Sequence, residues 1–263
     1  MTKNASPDEI RTAVRGRYGD IAVQEDTGCG GSCGDGSAAS PEQLATQMGY
    51  TEGEIATAPD GANLGLGCGN PQAIASLRPG ETVVDLGSGA GFDCFLAARQ
   101  VGESGQVIGV DMTPEMITKA RENAATAGAT NVSFRLGEIE HLPVADETVD
   151  VIISNCVINL SPEKPDVFND AFRVLRSGGR LAVADVITTA PLPESVLQDL
   201  RAYTGCVSGA LSADDIETLL AEAGFVDIRI RPQDDSRELV REWSSAANLE
   251  DYVLSALIEA RKP

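Results

Sequence analysis

Between residues 82 and 190 the chain alternates short apolar runs with segments of helical periodicity, and this alternation constrains the fold more than any other feature. The apolar runs are TVVDLG, GQVIGVD, VSFRLG, VDVIISN and RLAVADVI. Continuous apolar runs of this length are typical of parallel strands that are buried on both faces. The segments FDCFLAARQV, PEMITKARENAATAG and KPDVFNDAFRVLRSGG predict the helices that connect such strands. We therefore predict an α/β fold with a doubly wound, mainly parallel sheet.

Two further segments flank the predicted core of residues 71–190. Residues 1–70 form an N-terminal extension, in which EIRTAVRGRYGDIA has loose helical periodicity and EDTGCGGSCGDGSAAS is typical of a flexible loop. Ser40, followed by a proline, predicts the start of another helix. Residues 191–263 form a C-terminal segment, in which SADDIETLLAEAGFVDIRIRP predicts a helix and a strand and EDYVLSALIEARKP predicts a last strand or helix. We expect this segment to complete the sheet.

The charge of the chain argues against several classes of partner. Its 263 residues include 40 acidic and 20 basic ones, so the net charge of −20 repels nucleic acids and anionic membranes. Only four of the basic residues are lysines, which is typical of the acidic surface of a halophilic protein; an acidic mesophilic protein is the alternative. The chain has no apolar run long enough for a membrane span, and its polar N-terminus does not resemble a signal peptide. We expect a soluble, cytoplasmic protein.

The first core strand is followed by a glycine-rich loop, since VVDLGSGAGFD places Gly87, Gly89 and Gly91 between a strand and a helix. At such a turn the backbone approaches a ligand closely, and the N-terminus of the helix points at it. The third glycine comes one residue too early for the dinucleotide fingerprint G-x-G-x-x-G, so a pyrophosphate site fits poorly. Asp111 ends the second strand, where its carboxylate can bind both hydroxyls of a ribose; a cap for the helix after Thr113 is the alternative.

Together with Asp85, Asp111 and the segment GEIEHLPVADETVDVIISN, this loop resembles the class I S-adenosylmethionine-dependent methyltransferases. The resemblance implies a seven-stranded sheet of that type, with the C-terminal segment on the substrate side and S-adenosylmethionine as cofactor. It implies that Asp85 and the glycine loop surround the methionine part of the cofactor, that Asp111 binds the ribose and that Met112 packs on the adenine. The implied cofactor-binding residues are Asp85, Gly87, Ser88, Gly89, Gly91, Asp111, Met112, Glu138, Ile139 and Asn155.

Six cysteines stand at irregular spacing, which in a reducing cytosol argues against a disulfide framework. Buried apolar filler and reactive thiols are the two interpretations that remain, because free cysteine is among the most buried residue types. Cys94 lies on the apolar face of the first core helix and is interpreted as packing. Cys68, Cys156 and Cys206 come from three separate segments that can meet at the carboxyl edge of the sheet, where ligands bind in this class of fold.

The contexts NLGLGCGNP, DLGSGAGFDCFLAA, VDMTPEMI, SNCVINL and GCVSGAL together resemble the arsenite S-adenosylmethionine methyltransferases. The resemblance implies methylation of trivalent arsenic in arsenic detoxification, with Cys68, Cys156 and Cys206 as the catalytic, arsenic-binding residues. The chemistry agrees, since trivalent arsenic is soft, prefers sulfur ligands and keeps a lone pair when three thiolates bind it. The trithiolate complex is also neutral, which lowers the cost of burying it.

The cysteines of GCGGSC, Cys29 and Cys33, stand in the segment with the composition of a flexible loop. A zinc site is one interpretation, but no second pair of ligands follows nearby. Related enzymes carry an N-terminal thiol that forms a disulfide with the first arsenic-binding cysteine during turnover. The resemblance therefore implies a catalytic redox role for Cys29 or Cys33. It also implies arsenite as substrate and a cellular thiol reductant, thioredoxin or glutathione, as co-substrate.

Two other functions are compatible with parts of the sequence. A small-molecule C- or O-methyltransferase shares the cofactor motifs but does not account for the three cysteine contexts. A non-catalytic metalloid sensor on the same fold accounts for the cysteines but does not need an intact cofactor loop. Consumption of the cofactor in the presence of arsenite distinguishes the three functions.

Overall fold

The structure, a computed structural model, describes residues 5–23, 39–243 and 248–263, and within these residues eight strands form one sheet. The strands are β1 (Thr82–Leu86), β2 (Gln106–Asp111), β3 (Val132–Leu136), β4 (Val149–Asn155), β5 (Leu175–Thr188), β6 (Leu211–Ser212), β7 (Val226–Gln233) and β8 (Val253–Arg261). The sheet order is β3-β2-β1-β4-β5-β8-β7, and β6 pairs with β5 outside this path. All pairings among β1 to β6 are parallel, whereas β8 is antiparallel to β5 and β7.

This sheet confirms the predicted doubly wound, mainly parallel α/β fold. The seven strands of the continuous path agree with the expected seven-stranded sheet, and the two-residue β6 is an addition to it. The last segment of the chain, for which the sequence leaves helix and strand open, is the strand β8. Because β8 and β7 pair with β5 and with each other, the C-terminal segment completes the sheet as expected.

Helices cover both faces of the sheet. Cys94, on the helix that follows β1, packs in one apolar cluster with Val83, whereas Phe168, on the helix before β5, packs in another with Val84. Neighbouring residues of β1 therefore bury their side chains on opposite faces, as a strand between two helical layers requires. The helices are α1 (Pro7–Val23), α2 (Pro41–Gln47), α3 (Glu52–Ile55), α4 (Gln72–Ala75), α5 (Phe92–Val101), α6 (Pro114–Ala127), α7 (Lys164–Val174), α8 (Glu194–Leu197), α9 (Leu200–Thr204), α10 (Ala213–Glu222) and α11 (Arg237–Trp243).

The helix α7 ends earlier than the sequence predicts. The predicted helix extends through LRSGG, but α7 stops at Val174 and the following residues begin β5. In the pairing with β4, Val149 faces Leu175 and Val151 faces Arg180, so the intervening residues of β5 form a bulge. Gly178 has a φ of 80°, a left-handed conformation that glycine adopts without steric cost. The double glycine thus turns the chain within the strand.

The strand order reverses between β1 and β4, because β2 and β3 lie on one side of β1 and β5 lies on the far side of β4. In open α/β sheets ligands bind in the crevice at the carboxyl ends of the strands at this switch point. The glycine loop follows β1 and Cys156 follows β4, so both candidate sites meet at this crevice. Across the described residues, no helix is long and apolar enough to cross a membrane.

Candidate active site

The loop between β1 and α5 leaves its backbone open to a ligand. Gly87, Gly89 and Gly91 have φ angles of 66°, 52° and 98°, which favour glycine. A Cβ atom at Gly87 would lie 2.4 Å from Cγ2 of Val157, and one at Gly91 would lie 2.7 Å from Cζ of Phe134. A Cβ at Gly89 would be 3.9 Å from the nearest side chain, so the space beside the middle of the loop is free.

Two polar side chains belong to this loop or bond to it. The hydroxyl of Ser88 is buried and has no hydrogen-bond partner among the described residues, although buried polar groups in folded proteins are normally paired. Oδ2 of Asp111 accepts a hydrogen bond of 2.9 Å from the N–H of Gly89, and Oδ1 accepts one of 2.8 Å from the N–H of Thr113. A carboxylate accepts about four hydrogen bonds, so Asp111 keeps capacity for ligand hydroxyls. The orphaned hydroxyl and the spare carboxylate capacity fit the ribose and polar groups of S-adenosylmethionine.

Asp85 lies buried beneath the loop. Burial, and after it the neighbouring carboxylate of Asp93, raise the pKa of Asp85 well above its usual value. The thiol of Cys94 donates a hydrogen bond of 3.2 Å to Oδ2 of Asp85. Cys94 is fully buried on α5, and its sulfur contacts Asp85 rather than the other cysteines.

The helix α1 packs against the residues that the resemblance assigns to the adenine. Met112 lies against the apolar cluster that contains Ile10 of α1. Arg11 and Arg15 lie 3.6 Å and 3.5 Å from carboxylate oxygens of Glu138. The sequence predicts this helix but gives no indication of what it covers.

Beside these residues, Glu140 connects α1 to the loop after β4. Its side chain is 4% exposed, and Oε1 accepts hydrogen bonds from Nη2 of Arg11 at 3.2 Å and from Oγ of Ser161 at 2.6 Å. Ile139, predicted to flank the adenine, is buried in the apolar cluster that lies on the α7 face of the sheet. Glu140 could not be identified from the sequence, because one acid among several in an acidic loop carries no local signal.

The three cysteines of the predicted arsenic site lie together. Cys68, Cys156 and Cys206 are 2%, 9% and 4% exposed and share one apolar cluster. The sulfurs of Cys68 and Cys156 lie within 4.8 Å of each other. Sγ of Cys206 also lies 2.9 Å from the carbonyl oxygen of Cys156, to which it donates. Loops that are distant in sequence thus gather three buried cysteines at the carboxyl end of β4, where Cys206 contacts the main chain of Cys156.

Two of these cysteines have strained backbones. Cys156 and Cys206 have φ angles of 60° and 64°, in the left-handed region that costs a residue with a side chain about 1 kcal/mol or more. The N–H of Cys156 donates to the carbonyl of Ala184 on β5 at 2.7 Å, which fixes the turn against the sheet. Such strain is concentrated at functional sites, where the surrounding structure holds a side chain in a particular position.

The environment keeps the thiols protonated. Burial raises the pKa of Cys68. The hydrogen bond with Cys206 lowers the pKa of Cys156, but the hydrogen bond with Cys68 and burial together outweigh it and hold that pKa well above its usual value. The hydrogen bond with Cys156 and burial raise the pKa of Cys206 in the same way. Without a ligand the three thiols are therefore uncharged at neutral pH.

Asp185 stands next to the thiols, and sequence analysis missed it. One of its carboxylate oxygens and the sulfurs of Cys68 and Cys156 lie within 4.8 Å of one another. Its oxygens accept hydrogen bonds from the N–H of Ile158 at 2.9 Å and from Nδ2 of Asn159 at 2.8 Å, which hold the turn after Cys156. Burial raises the pKa of Asp185 to about 6. The sequence did offer one signal for this residue, since Asp185 is an acidic residue inside the apolar run RLAVADVI.

Comparisons with known proteins agree with this geometry. Residues 77–224 match a methyltransferase domain family. An arsenite methyltransferase of Halobacterium salinarum is 55% identical over 270 residues, which cover 100% of this chain and 69% of that protein. The chain belongs to the arsenite methyltransferase family.

Two further members of this family support the assignment. An arsenite methyltransferase of Aquipseudomonas alcaligenes is 45% identical over 171 residues, which cover 62% of this chain and 49% of that protein. The crystal structure of an arsenic (III) S-adenosylmethionine methyltransferase from Chlamydomonas reinhardtii superimposes with a TM-score of 0.63 and 31% identity, covering 83% of this chain and 72% of that one. The chain thus spans between about half and about two thirds of the curated family members compared.

Asn155, for which the class I resemblance implies a cofactor contact, binds the loop of Cys68 in this family member. Its Oδ1 accepts a hydrogen bond of 3.0 Å from the N–H of Cys68, and its Nδ2 donates to the carbonyl of Gly69 at 2.8 Å and to the hydroxyl of Tyr50 at 3.1 Å. The amide is therefore engaged by the protein, and its contact with the cofactor stays a prediction. Cys29 and Cys33 lie outside the described residues.

Lys164 gives this arsenite methyltransferase family member a testable pH dependence. The amine is 9% exposed and donates to the carbonyl of Ser161 at 2.8 Å, and burial lowers its pKa from 10.5 to about 8 despite the attraction of Asp185. Between pH 8 and 10.5 the folded protein loses this proton before the unfolded chain does, so the penalty of the buried charge disappears as the pH rises. We therefore expect the deprotonation of Lys164 to increase the free energy of unfolding by about 3 kcal/mol between pH 8 and pH 10.5.

Urea denaturation of the wild type and of Lys164→Met at both pH values measures this contribution. The free energy of unfolding of the wild type, relative to that of Lys164→Met, should increase as the pH rises. Lys119→Met, on α6, removes the same charge outside this network and serves as the control. A wild-type-to-variant difference that is the same at both pH values would contradict the prediction.

Proposed function

We propose that this chain transfers the methyl group of S-adenosylmethionine to trivalent arsenic bound by Cys68, Cys156 and Cys206. The observation that carries the proposal is the cluster of three buried cysteines at the carboxyl end of β4. The activity named for the Halobacterium salinarum relative supports the same reaction. Arsenite is then the substrate, and the reaction takes place in the cytoplasm.

The chain's own residues would bind the cofactor through the loop after β1. Asp111, whose carboxylate accepts the N–H of Gly89, and Ser88 are the polar side chains of this region that would bind it. The methionine part lies near Asp85 in this proposal, and α1 excludes water from the adenine side. S-adenosylmethionine supplies an electrophilic methyl group on a positively charged sulfur.

The three thiols bind arsenite by exchange with its hydroxyl groups. Three As–S bonds form and three As–O bonds break, and each thiol proton leaves with one hydroxyl as water. Protons are conserved in this exchange, so the protonated thiols of the free site need no separate base. The product is neutral, which suits an apolar cluster in which a charged complex would be costly to bury. The sulfurs are soft ligands and therefore select arsenic over hard cations.

The contribution of the protein to methyl transfer is then mainly orientation and exclusion of water. The lone pair of arsenic is the nucleophile, so the step needs no general base. Transfer of a methyl cation to trivalent arsenic leaves it formally pentavalent, and two electrons must return before a trivalent product forms. We assign this reduction to the thiols of Cys29 or Cys33 and to a cellular reductant, thioredoxin or glutathione, since two thiols supply two electrons when they form a disulfide.

An assay of the purified chain under anaerobic conditions tests the proposal. With arsenite, S-adenosylmethionine and a dithiol, we expect S-adenosylhomocysteine and methylated arsenic, measured by chromatography with arsenic detection. Omission of arsenite should stop formation of S-adenosylhomocysteine. Arsenite that binds without consumption of S-adenosylmethionine would indicate a metalloid sensor, and turnover with phenols or quinones alone would indicate a small-molecule methyltransferase.

A further inference from the structure

Cys68 differs from the other two thiol-bearing residues in how its backbone is held. It lies in the loop between α3 and α4, and both polar groups of its main chain bond to side chains. Its N–H donates to Oδ1 of Asn155 at 3.0 Å, and its carbonyl oxygen accepts a hydrogen bond of 2.6 Å from Oγ of Ser255. By contrast, the N–H groups of Cys156 and Cys206 bond to the main-chain carbonyls of Ala184 and Tyr203.

The residues around Cys68 allow this close approach. Gly67 has a φ of 133°, and a Cβ atom there would lie 2.7 Å from Nδ2 of Asn155. A Cβ at Gly69 would lie 2.9 Å from Cβ of Ala184 on β5. Larger side chains at either glycine would therefore push Cys68 away from the ends of β4 and β5.

Ser255 is itself rigidly placed. It is 2% exposed near the start of β8, where it pairs with Val186 of β5, and its own N–H donates to Oγ of Ser236 at 2.9 Å. Ser255 thus connects the loop of Cys68 to the antiparallel part of the sheet, 187 residues further along the chain.

We propose that Ser255 is a positioning residue of the arsenic site: its hydroxyl fixes the carbonyl of Cys68 so that the thiol stands beside Cys156 before arsenite binds. This inference rests on the proposed function. A three-point ligand site gains affinity when its ligands are ordered in advance, because ordering a loop during binding costs conformational entropy. Of the three cysteines, Cys68 is the one whose main-chain N–H and carbonyl both bond to side chains, and Ser255 holds the carbonyl.

Ser255→Ala tests the proposal, because it removes the hydroxyl with almost no change in volume. We expect arsenite to bind about tenfold more weakly, which corresponds to the loss of one buried hydrogen bond. Equilibrium dialysis of arsenite under anaerobic conditions measures this affinity, while the affinity for S-adenosylmethionine should stay unchanged. Ser177→Ala is the control for the loss of a serine hydroxyl, since Ser177 donates to an oxygen of Pro263 at 2.6 Å at the other end of β5, away from the thiols.

A double-mutant cycle separates positioning from a general loss of stability. In the Cys68→Ser background, Ser255→Ala should cause no further loss of arsenite affinity, because the thiol that Ser255 positions is already absent. An equal loss of affinity in both backgrounds, or unchanged affinity in the single variant, would overturn the inference. Failure of the wild type to methylate bound arsenite would refute the proposed function instead, and a Ser255-dependent arsenite affinity would still support the positioning role.

Discussion

Cys156→Ser and Cys206→Ser are each expected to reduce methylation of arsenite to the background level while the affinity for S-adenosylmethionine changes little. Serine preserves the size of the side chain and needs the same left-handed backbone, so the substitution isolates the sulfur atom. A hydroxyl is a hard ligand that keeps its proton, which leaves arsenite with two thiols instead of three. Chromatography with arsenic detection measures the product, and calorimetry measures the cofactor affinity.

Cys94→Ala is the control for this experiment. It removes another fully buried sulfur, but one that lies on α5 and contacts Asp85 instead of the other thiols. The control should retain the binding of one arsenite per chain. Full turnover of arsenite by either Cys156→Ser or Cys206→Ser would show that three thiols are not required, and the proposed site would then have to be abandoned.

The parts of this site that could be predicted from the sequence depend on local signals. The strand TVVDLG, the glycine loop and the helix Phe92–Val101 follow one another directly, and each is marked by its own residue types. Ser40 begins α2 with a capping box in which its side chain accepts a hydrogen bond from the N–H of Gln43. Gly128 ends α6 with a φ of 62°. These elements are fixed by interactions within a few residues.

The surroundings of the thiols could not be predicted in this way, because they depend on contacts between distant residues. Cys68 is held by side chains that lie 87 and 187 positions further along the chain. The hydrophobic periodicity of α1 in the sequence is loose, because the charged residue Arg11 lies on the buried side of this helix next to Ile10. Glu163 and Glu140 accept hydrogen bonds from this arginine, and no local pattern identifies such partners.

The cofactor site allows an equally direct test, since Asp111→Ala should weaken the binding of S-adenosylmethionine by about 100-fold. The expected loss corresponds to two charge-assisted hydrogen bonds to ribose hydroxyls, at about 1.5 kcal/mol each. The substitution also removes the acceptor for the N–H groups of Gly89 and Thr113, which loosens the glycine loop. Arsenite binding should be spared, because the carboxylate of Asp111 bonds to Gly89 and Thr113 and not to the thiols.

Calorimetry with S-adenosylmethionine and dialysis with arsenite measure both affinities on the same preparation. Glu103→Ala, at an exposed position between α5 and β2, changes the net charge equally and should leave both unchanged. Asp111→Asn tests both roles of the carboxylate, which are to hold the loop and to bind the ribose. An amide has one oxygen acceptor where the carboxylate has two, so it accepts fewer of the hydrogen bonds from the loop and the ribose. Its cofactor affinity should therefore fall between those of the wild type and Asp111→Ala. Unchanged cofactor affinity in Asp111→Ala would mean that the carboxylate only caps the turn before α6 and that another residue binds the ribose.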